Sequence, residues 1–136
     1  GQIAAEASID ADPKYMLHNY NEYVNRRKFL IDGLNRIEGV YSPIPMGAFY
    51  TVAKLPVDDA DKFCEWLLSD FSYENQTIFL APATGFYTDP KNGIDQVRIA
   101  YVLKKEDLAV CLKILDEALK VYPGSKVRKA VQAVAE

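Results

Sequence analysis

The spacing of apolar residues along the chain predicts three amphipathic helices. The first spans 13–38, begins at the helix-start signal Asp12-Pro13, and presents a single apolar stripe that we expect to face a core. That stripe comprises Leu17, Tyr20, Val24, Ile31, Leu34 and Ile37. The second helix spans 58–71 and the third 106–122, and carboxylates in the first turn of each lie where the helix dipole favours negative charge.

Three shorter stretches have the composition or the alternation of β-strands. They span 48–53, 77–81 and 96–103. Together with the helices they predict an α+β fold, in which a small antiparallel or mixed sheet carries helices packed on one face. The sequence contains no internal repeat and no glycine-rich phosphate-loop signature.

The strand at 96–103 has an arginine near its middle. Alternation places Val97 and Ile99 on one face and Arg98 on the other. Burying a guanidinium without an anionic partner is costly, and its planar fork of donors suits two-point contact with a carboxylate. We therefore expect Arg98 to meet an anion, either a ligand or a protein carboxylate such as Asp95 or a distant glutamate. An edge-strand arginine in water is the remaining alternative.

Composition narrows the class of protein. The chain has 136 residues, is 49% hydrophobic and 26% charged, and carries a net charge of −3, which is typical of one globular domain. It has no basic stripe with interleaved aromatics and no apolar run near the ~20 residues of a membrane span, so we expect neither nucleic acid nor membrane as partner. The start lacks a signal-peptide pattern, and Cys64 and Cys111 lie in amphipathic patterns typical of core residues. We therefore expect a cytoplasmic protein without a disulfide framework.

Three groups of polar residues resemble sites but have simpler interpretations. The basic run at 26–28 is interpreted as a solvated helix face rather than an anion site. His18 is the only histidine, so it cannot build a multi-histidine metal site, and we expect it on a helix surface. The acidic run at 58–61 lacks the glycine-centred spacing of a calcium loop, and we expect it to cap the second helix. No metal site is therefore predicted.

Two loops are candidates for a functional site. Gly47, before the strand at 48–53, would permit a positive φ or a close backbone approach, although a plain loop glycine is the alternative. The loop at 82–95 joins two predicted strands and carries the aromatic pair Phe86 and Tyr87. Such loops often carry sites, and a connection without chemistry is the alternative.

Three landmarks in the sequence carry a resemblance to a known family. They are Pro45-Met46-Gly47-Ala48-Phe49-Tyr50, Ala81-Pro82-Ala83-Thr84-Gly85-Phe86 and Val97-Arg98-Ile99-Ala100-Tyr101. Their order and spacing resemble the C-terminal part of the class I/II aminotransferases, which are pyridoxal-phosphate enzymes of the aspartate aminotransferase type. The resemblance covers roughly residues 2–122, nearly the whole chain.

The resemblance implies roles for individual residues. Arg98 matches the family's arginine that grips the substrate α-carboxylate and so orients the substrate for proton removal at Cα. Gly47 and Phe49 match the loop and strand near the substrate entrance, and Phe86 and Tyr87 would be walls of the same pocket. The loop at 82–85 departs from the family's commonest proline-glycine motif, because two residues separate its proline from its glycine.

The resemblance also implies what lies elsewhere. In this family a large upstream domain binds pyridoxal phosphate and supplies the lysine that forms a Schiff base with it, and no lysine in this chain matches that motif. We therefore expect no catalytic or cofactor-binding residue here. Residues 1–12 would end the large domain or connect to it, 13–122 would be the small domain, and 123–136 would be a C-terminal tail with helical spacing of its valines.

The expected function follows from the family. The parent enzyme, a homodimer, would move an amino group between an amino acid, with aspartate among the candidates, and a 2-oxo acid. This chain would supply the carboxylate arginine and a lid, and would be inactive alone. The alternatives are a stand-alone carboxylate-binding or interaction domain, or a fragment of a carbon–sulfur lyase or synthase of the same fold.

Overall fold

A computed structural model describes residues 1–127 of the chain, which form four α-helices and one three-stranded antiparallel sheet. The helices are α1 (Gln2–Ile9), α2 (Pro13–Leu34), α3 (Ala60–Ser69) and α4 (Lys105–Val121). The strands are β1 (Tyr50–Lys54), β2 (Ala81–Pro82) and β3 (Gln96–Ala100). Two short 3₁₀ turns, Thr84–Phe86 and Pro90–Gly93, lie between β2 and β3. The predicted α+β class is confirmed.

The sheet places the predicted arginine strand at its centre. β3 pairs antiparallel with β1 on one side and with β2 on the other, so that Val52 and Ala81 both lie opposite Arg98. The predicted alternation is present, because Val97 is fully buried while Arg98 is exposed. Arg98 therefore stands on the open face of a central strand.

Two of the predicted strands are shorter than expected. β3 ends at Ala100, and only the end of the predicted strand at 77–81 pairs with it. The segment before β2 is held instead by Ile78 and Leu80, whose side chains are buried in the core. An apolar pocket of about 390 Å³ is lined by this segment, by the chain at 99–103, and by side chains of α2 and α4.

The core lies between the other face of the sheet and three helices. Its members come from the C-terminal end of α2, from α3, from α4 and from the inward positions of the strands. They include Leu30, Leu34, Ala53, Phe63, Leu67, Val97, Tyr101, Leu108, Leu115 and Leu119. The expectation that the helices pack on one face of the sheet is therefore confirmed.

The N-terminal half of α2 departs from the prediction. Leu17 and Tyr20 were expected to face a core, but their side chains are 60% and 64% exposed. The helix has 22 residues and is thus about 33 Å long, whereas a five-residue strand spans only about 17 Å. Only the last turns of α2 therefore reach the core, and α1 has no buried residue at all.

Helix ends follow the capping chemistry in the sequence. Asp12 accepts a hydrogen bond from the backbone N–H of Lys14 at the start of α2, and Asp59 accepts from two backbone N–H groups of α3, as the capping interpretation of the acidic run predicts. α2 ends at Leu34 rather than at 38, because the Asn35 side chain exchanges hydrogen bonds of 2.9 and 2.8 Å with the backbone of Ser42. The valines predicted to continue the tail at 131 and 134 lie outside the described residues.

The basic run on α2 is a solvated face only in part, because Lys28 is exposed while Arg26 and Arg27 are half-buried and bind distant backbone atoms. The guanidinium of Arg26 donates to the carbonyl of Val102, beyond the end of β3, and that of Arg27 donates to the carbonyl of Pro45 at 3.1 Å. Sequence alone could not show this, because both acceptors are backbone atoms distant in the chain. The two arginines fasten α2 to the two chain segments that leave and enter the sheet.

The remaining sequence expectations concern single residues. His18 is exposed on α2, as predicted. Cys64 and Cys111 are free thiols, and burial raises the pKa of Cys64 to about 12, so this thiol is protonated at neutral pH. Within residues 1–127, no cluster of three metal-ligating side chains is present, and no helix is both long and apolar enough to cross a membrane.

Candidate functional site

The candidate site is built around the guanidinium of Arg98. Its central carbon lies 5.3 Å from the centroid of the Tyr50 ring and 4.9 Å from that of Phe86. Tyr50 is on β1 and Phe86 follows β2, so the two rings reach the arginine from the strands on either side. At these distances the rings attract the cation and restrict its movement.

Arg98 has no anionic partner in the part of the chain that the structure describes. The carboxylate suggested for it, Asp95, pairs instead with Lys54 at 3.3 Å. Among residues 1–127, the side chain of Arg98 makes neither an ion pair nor a hydrogen bond, although other arginines and lysines do. Within residues 1–127 the expected structural ion pair is therefore absent, and Arg98 is exposed to solvent on the central strand of the sheet rather than on an edge strand. Its donors are free for a ligand.

Phe86 is positioned by a compact loop. Its backbone N–H donates to the carbonyl of Ala83 at 3.0 Å, which closes the 3₁₀ turn. The hydroxyl of Thr84 in the same turn donates to Asp61 of α3 at 2.7 Å. The next residue, Tyr87, donates from its phenol to the side-chain oxygen of Gln96 at 2.7 Å. The two residues that separate proline from glycine in this loop therefore belong to an ordered turn.

The loop before β1 is held by the buried side chain of Tyr101. Tyr101 is only 1% exposed, and its phenol donates to the carbonyl of Ala48 at 2.8 Å and to that of Gly47 at 3.3 Å. Gly47 itself needs neither of the properties proposed for it, because its φ is not positive and a Cβ there would meet nothing within 4 Å. The positive φ falls on the next residue, Ala48, at +62°.

The structure brings together only some of the predicted site residues. Arg98 and Phe86 are in direct contact, and Phe49 joins them indirectly, because its ring packs edge-on against Tyr50 at 5.5 Å. Gly47 contributes only a backbone carbonyl held by Tyr101. Tyr50 was missed as a site residue. It pairs with Ala100 and so lies diagonally across from Arg98, a relation that becomes visible only when the strand register is known.

Lys54 is the lysine on the strand beside Arg98. A lysine that forms an imine with a cofactor must lose its proton readily, and an ion pair with a carboxylate opposes that loss. The ammonium of Lys54 pairs with the carboxylate of Asp95 at 3.3 Å. Lys54 therefore does not have the setting of a cofactor lysine, and the cation of this site that is open to a carboxylate is Arg98.

Comparison with known proteins gives these features a context. No protein-family model matches the chain. An aspartate aminotransferase from Pyrococcus horikoshii is 32% identical over 101 residues, which are 73% of this chain and 24% of that protein. The substrate-bound structure of BacF from Bacillus subtilis has a TM-score of 0.70 at 26% identity, covering 84% of this chain and 28% of BacF. The aspartate aminotransferase from Thermotoga maritima has a TM-score of 0.67 at 28% identity, covering 87% and 28%.

The chain spans less than a third of the length of each of these relatives. Its four helices and three-stranded antiparallel sheet match the small domain of aminotransferase structures. The resemblance carried by the three sequence landmarks is therefore confirmed. The chain is homologous to a C-terminal portion of the aspartate aminotransferases, which are pyridoxal-phosphate-dependent enzymes of class I.

Proposed function

We propose that this chain is the substrate-carboxylate-binding part of an aminotransferase that moves an amino group between an amino acid and a 2-oxo acid. The observation that carries the proposal is the state of Arg98, which is exposed, unpaired within residues 1–127, and held between the rings of Tyr50 and Phe86. The guanidinium of Arg98 lies on the central strand and between two rings, and among the described residues it has no protein anion to neutralise it. It is therefore available to bind an anionic ligand. Every amino acid and 2-oxo acid carries an α-carboxylate that meets this requirement.

The chemistry of the guanidinium supports a two-point contact. Two parallel N–H donors bind the two oxygens of a carboxylate and so fix its plane as well as its position. The carbon that reacts in amino transfer is bonded directly to this carboxylate, so fixing the carboxylate also fixes the reacting atom. The rings of Tyr50 and Phe86 limit the directions in which the guanidinium can turn, and less freedom is lost when the ligand binds.

The remaining parts of the proposal assign roles outside this chain. Pyridoxal phosphate and the lysine that holds it would belong to a large domain, and this chain would act as a lid that excludes water when substrate binds. The parent enzyme would be a homodimer, and the isolated chain would be inactive. The aspartate aminotransferases to which this chain is homologous depend on pyridoxal phosphate, which supports the cofactor assignment.

The proposal is tested by Arg98→Lys in the full-length protein that carries this chain. Lysine keeps the positive charge but cannot make the two parallel hydrogen bonds. Loss of one charge-assisted hydrogen bond weakens binding by about 1.5–3 kcal/mol, so we expect KM for amino acid and 2-oxo acid to rise roughly 10- to 150-fold. Steady-state kinetics and direct titration of the 2-oxo acid measure this.

A matched control separates the site from a general effect of removing arginine. Arg36 is an exposed arginine whose side chain makes no ion pair or hydrogen bond within residues 1–127, so Arg36→Lys should leave KM unchanged. A substrate analogue in which hydrogen replaces the carboxylate should bind wild type and Arg98→Lys equally. Unchanged kinetics in Arg98→Lys would refute the assigned role of Arg98.

A further inference from the structure

We propose that Tyr87 is a positioning residue for the carboxylate site, acting through its hydrogen bond to Gln96. The inference deepens the proposed function and rests on it. It assigns to Tyr87 the task of holding Phe86 against the guanidinium of Arg98. Tyr87 is not expected to touch the substrate itself.

The geometry of the loop carries the argument. The phenol of Tyr87 donates to Oε1 of Gln96 at 2.7 Å, and Nε2 of Gln96 donates to the carbonyl of Asn92 at 2.8 Å. Both polar ends of the Gln96 amide are thus engaged by the loop that leads from Phe86 to β3. Gln96 lies two residues before Arg98 and on the same face of β3. The Gln96 side chain therefore ties the loop on the C-terminal side of Phe86 to the strand that carries the arginine, and the backbone N–H of Ala83 donates to the Gln96 carbonyl at 2.9 Å on the other side.

The ring of Tyr87 also packs closely against Gly93 in the second 3₁₀ turn. A Cβ on Gly93 would lie 2.7 Å from Cδ2 of Tyr87 and 2.9 Å from the carbonyl oxygen of Ala83. Any side chain larger than that of glycine at this position would collide with the Tyr87 ring and with the backbone of Ala83. The ring is thus held by packing at one end and by the Gln96 hydrogen bond at the other.

The position of Phe86 depends on these ties. Phe86 lies between the hydrogen bond that Thr84 makes to Asp61 and the one that Tyr87 makes to Gln96. Its ring is itself 61% exposed, so little burial fixes it. Without the Tyr87 hydrogen bond, the chain after Phe86 keeps the packing of the Tyr87 ring on Gly93 but loses its link to the Gln96 side chain, so the Phe86 ring has more freedom to leave the guanidinium. Arg98 would then have more freedom to lose when a carboxylate binds.

The test is Tyr87→Phe in the full-length protein. This change removes one oxygen and keeps the ring packed on Gly93. Because the hydrogen bond is exposed, its net value is at the low end of the usual range, and we expect KM for amino acid and 2-oxo acid to rise about two- to fivefold with kcat changed less. Gln96→Leu removes the same bond from the other side, together with the bond from Gln96 to the Asn92 carbonyl, and should raise KM at least as much. Tyr41→Phe, which deletes an exposed phenol that makes no hydrogen bond within residues 1–127, should leave KM unchanged.

A double-mutant cycle distinguishes positioning from a merely structural role. If Tyr87 acts through Phe86, then Tyr87→Phe should have no further effect on KM once Phe86→Ala is present. Multiplicative effects, or a KM unaffected by Phe86→Ala alone, would overturn the inference. Thermal unfolding of each variant shows whether the fold is retained, and equal melting temperatures with a raised KM would support positioning. If Arg98→Lys raises KM while Tyr87→Phe behaves as wild type, only this inference fails; if Arg98→Lys has no effect, the proposed function fails first.

Discussion

Replacing Tyr101 by phenylalanine removes two hydrogen bonds and leaves the packing of the ring intact. The phenol of Tyr101 donates to the carbonyls of Ala48 and Gly47, at 2.8 and 3.3 Å, in the loop that enters β1. Burial raises the pKa of Tyr101 above its usual value, so the phenol is protonated and remains a donor at any physiological pH. The ring is only 1% exposed, and phenylalanine keeps its contacts with the core.

The expected loss of stability is about 1 kcal/mol. One of the two bonds is of ordinary length and the other is long, and a typical net hydrogen bond contributes about 0.5–1.5 kcal/mol. Gly47 and Ala48 are exposed, so water can take the place of the phenol, and the larger penalty for a buried unsatisfied carbonyl does not apply. For a domain of this size, 1 kcal/mol lowers the melting temperature by about 3–5 °C.

Urea unfolding followed by circular dichroism measures this change. The midpoint should fall while the slope of the free energy of unfolding against urea stays the same, because the buried area is unchanged. Tyr41→Phe is the control, since its phenol is exposed and should leave the midpoint unaltered. A loss above about 3 kcal/mol would show that the Tyr101 hydroxyl supports the core itself, and no loss would show that the two bonds do not form.

Two further predictions concern other close contacts. Gly93→Ala should lower the free energy of unfolding by about 1–3 kcal/mol, because its Cβ would lie 2.7 Å from a carbon of Tyr87, whereas Gly85→Ala has nothing within 4 Å and should be nearly neutral. Equal effects of the two substitutions in urea unfolding would contradict this. Burial and a hydrogen bond to Asp58 raise the pKa of Tyr122 from 10.0 to about 12. The unfolded chain therefore loses this proton first, so the associated stability of about 3 kcal/mol is complete below pH 10 and lost as pH rises to 12. Tyr122→Phe should flatten that part of the pH profile, and a wild-type slope in the variant would refute the assignment.

The sequence is informative about Arg98 because burial has a period of two in a strand. Val97 and Tyr101 are so apolar that one face of β3 must point to the core, and Arg98 then has to point away from it. The caps at Asp12 and Asp59 are also predicted correctly, because capping depends only on residues within one turn of the helix. Features determined within a few residues are thus readable from the chain.

Features that depend on contacts between residues far apart in the sequence cannot be predicted in this way. Tyr50 approaches Arg98 only through the β1–β3 register, and Arg27 meets the carbonyl of Pro45 across 18 residues. The positive φ considered for Gly47 falls instead on Ala48, whose carbonyl accepts a hydrogen bond from the Tyr101 phenol, 53 residues away in the chain. Periodicity indicates which face of helix α2 is apolar, but it does not indicate how far along the helix the core extends. Leu17 lies beyond the core and is therefore exposed.

The position of the site is a consequence of how the core is packed. A shift of β3 by one residue would expose Val97 and Tyr101 and bury Arg98, so the register that forms the core also directs the guanidinium outward. Burying a large apolar side chain contributes about 1.5–3 kcal/mol, more than the exposed Tyr87 hydrogen bond can contribute. Phe86 and Tyr87 can therefore change, and adjust how a carboxylate is held, without endangering the fold. Substitutions at Val97 act in the opposite way, because they would displace Arg98 by disturbing the core beneath it.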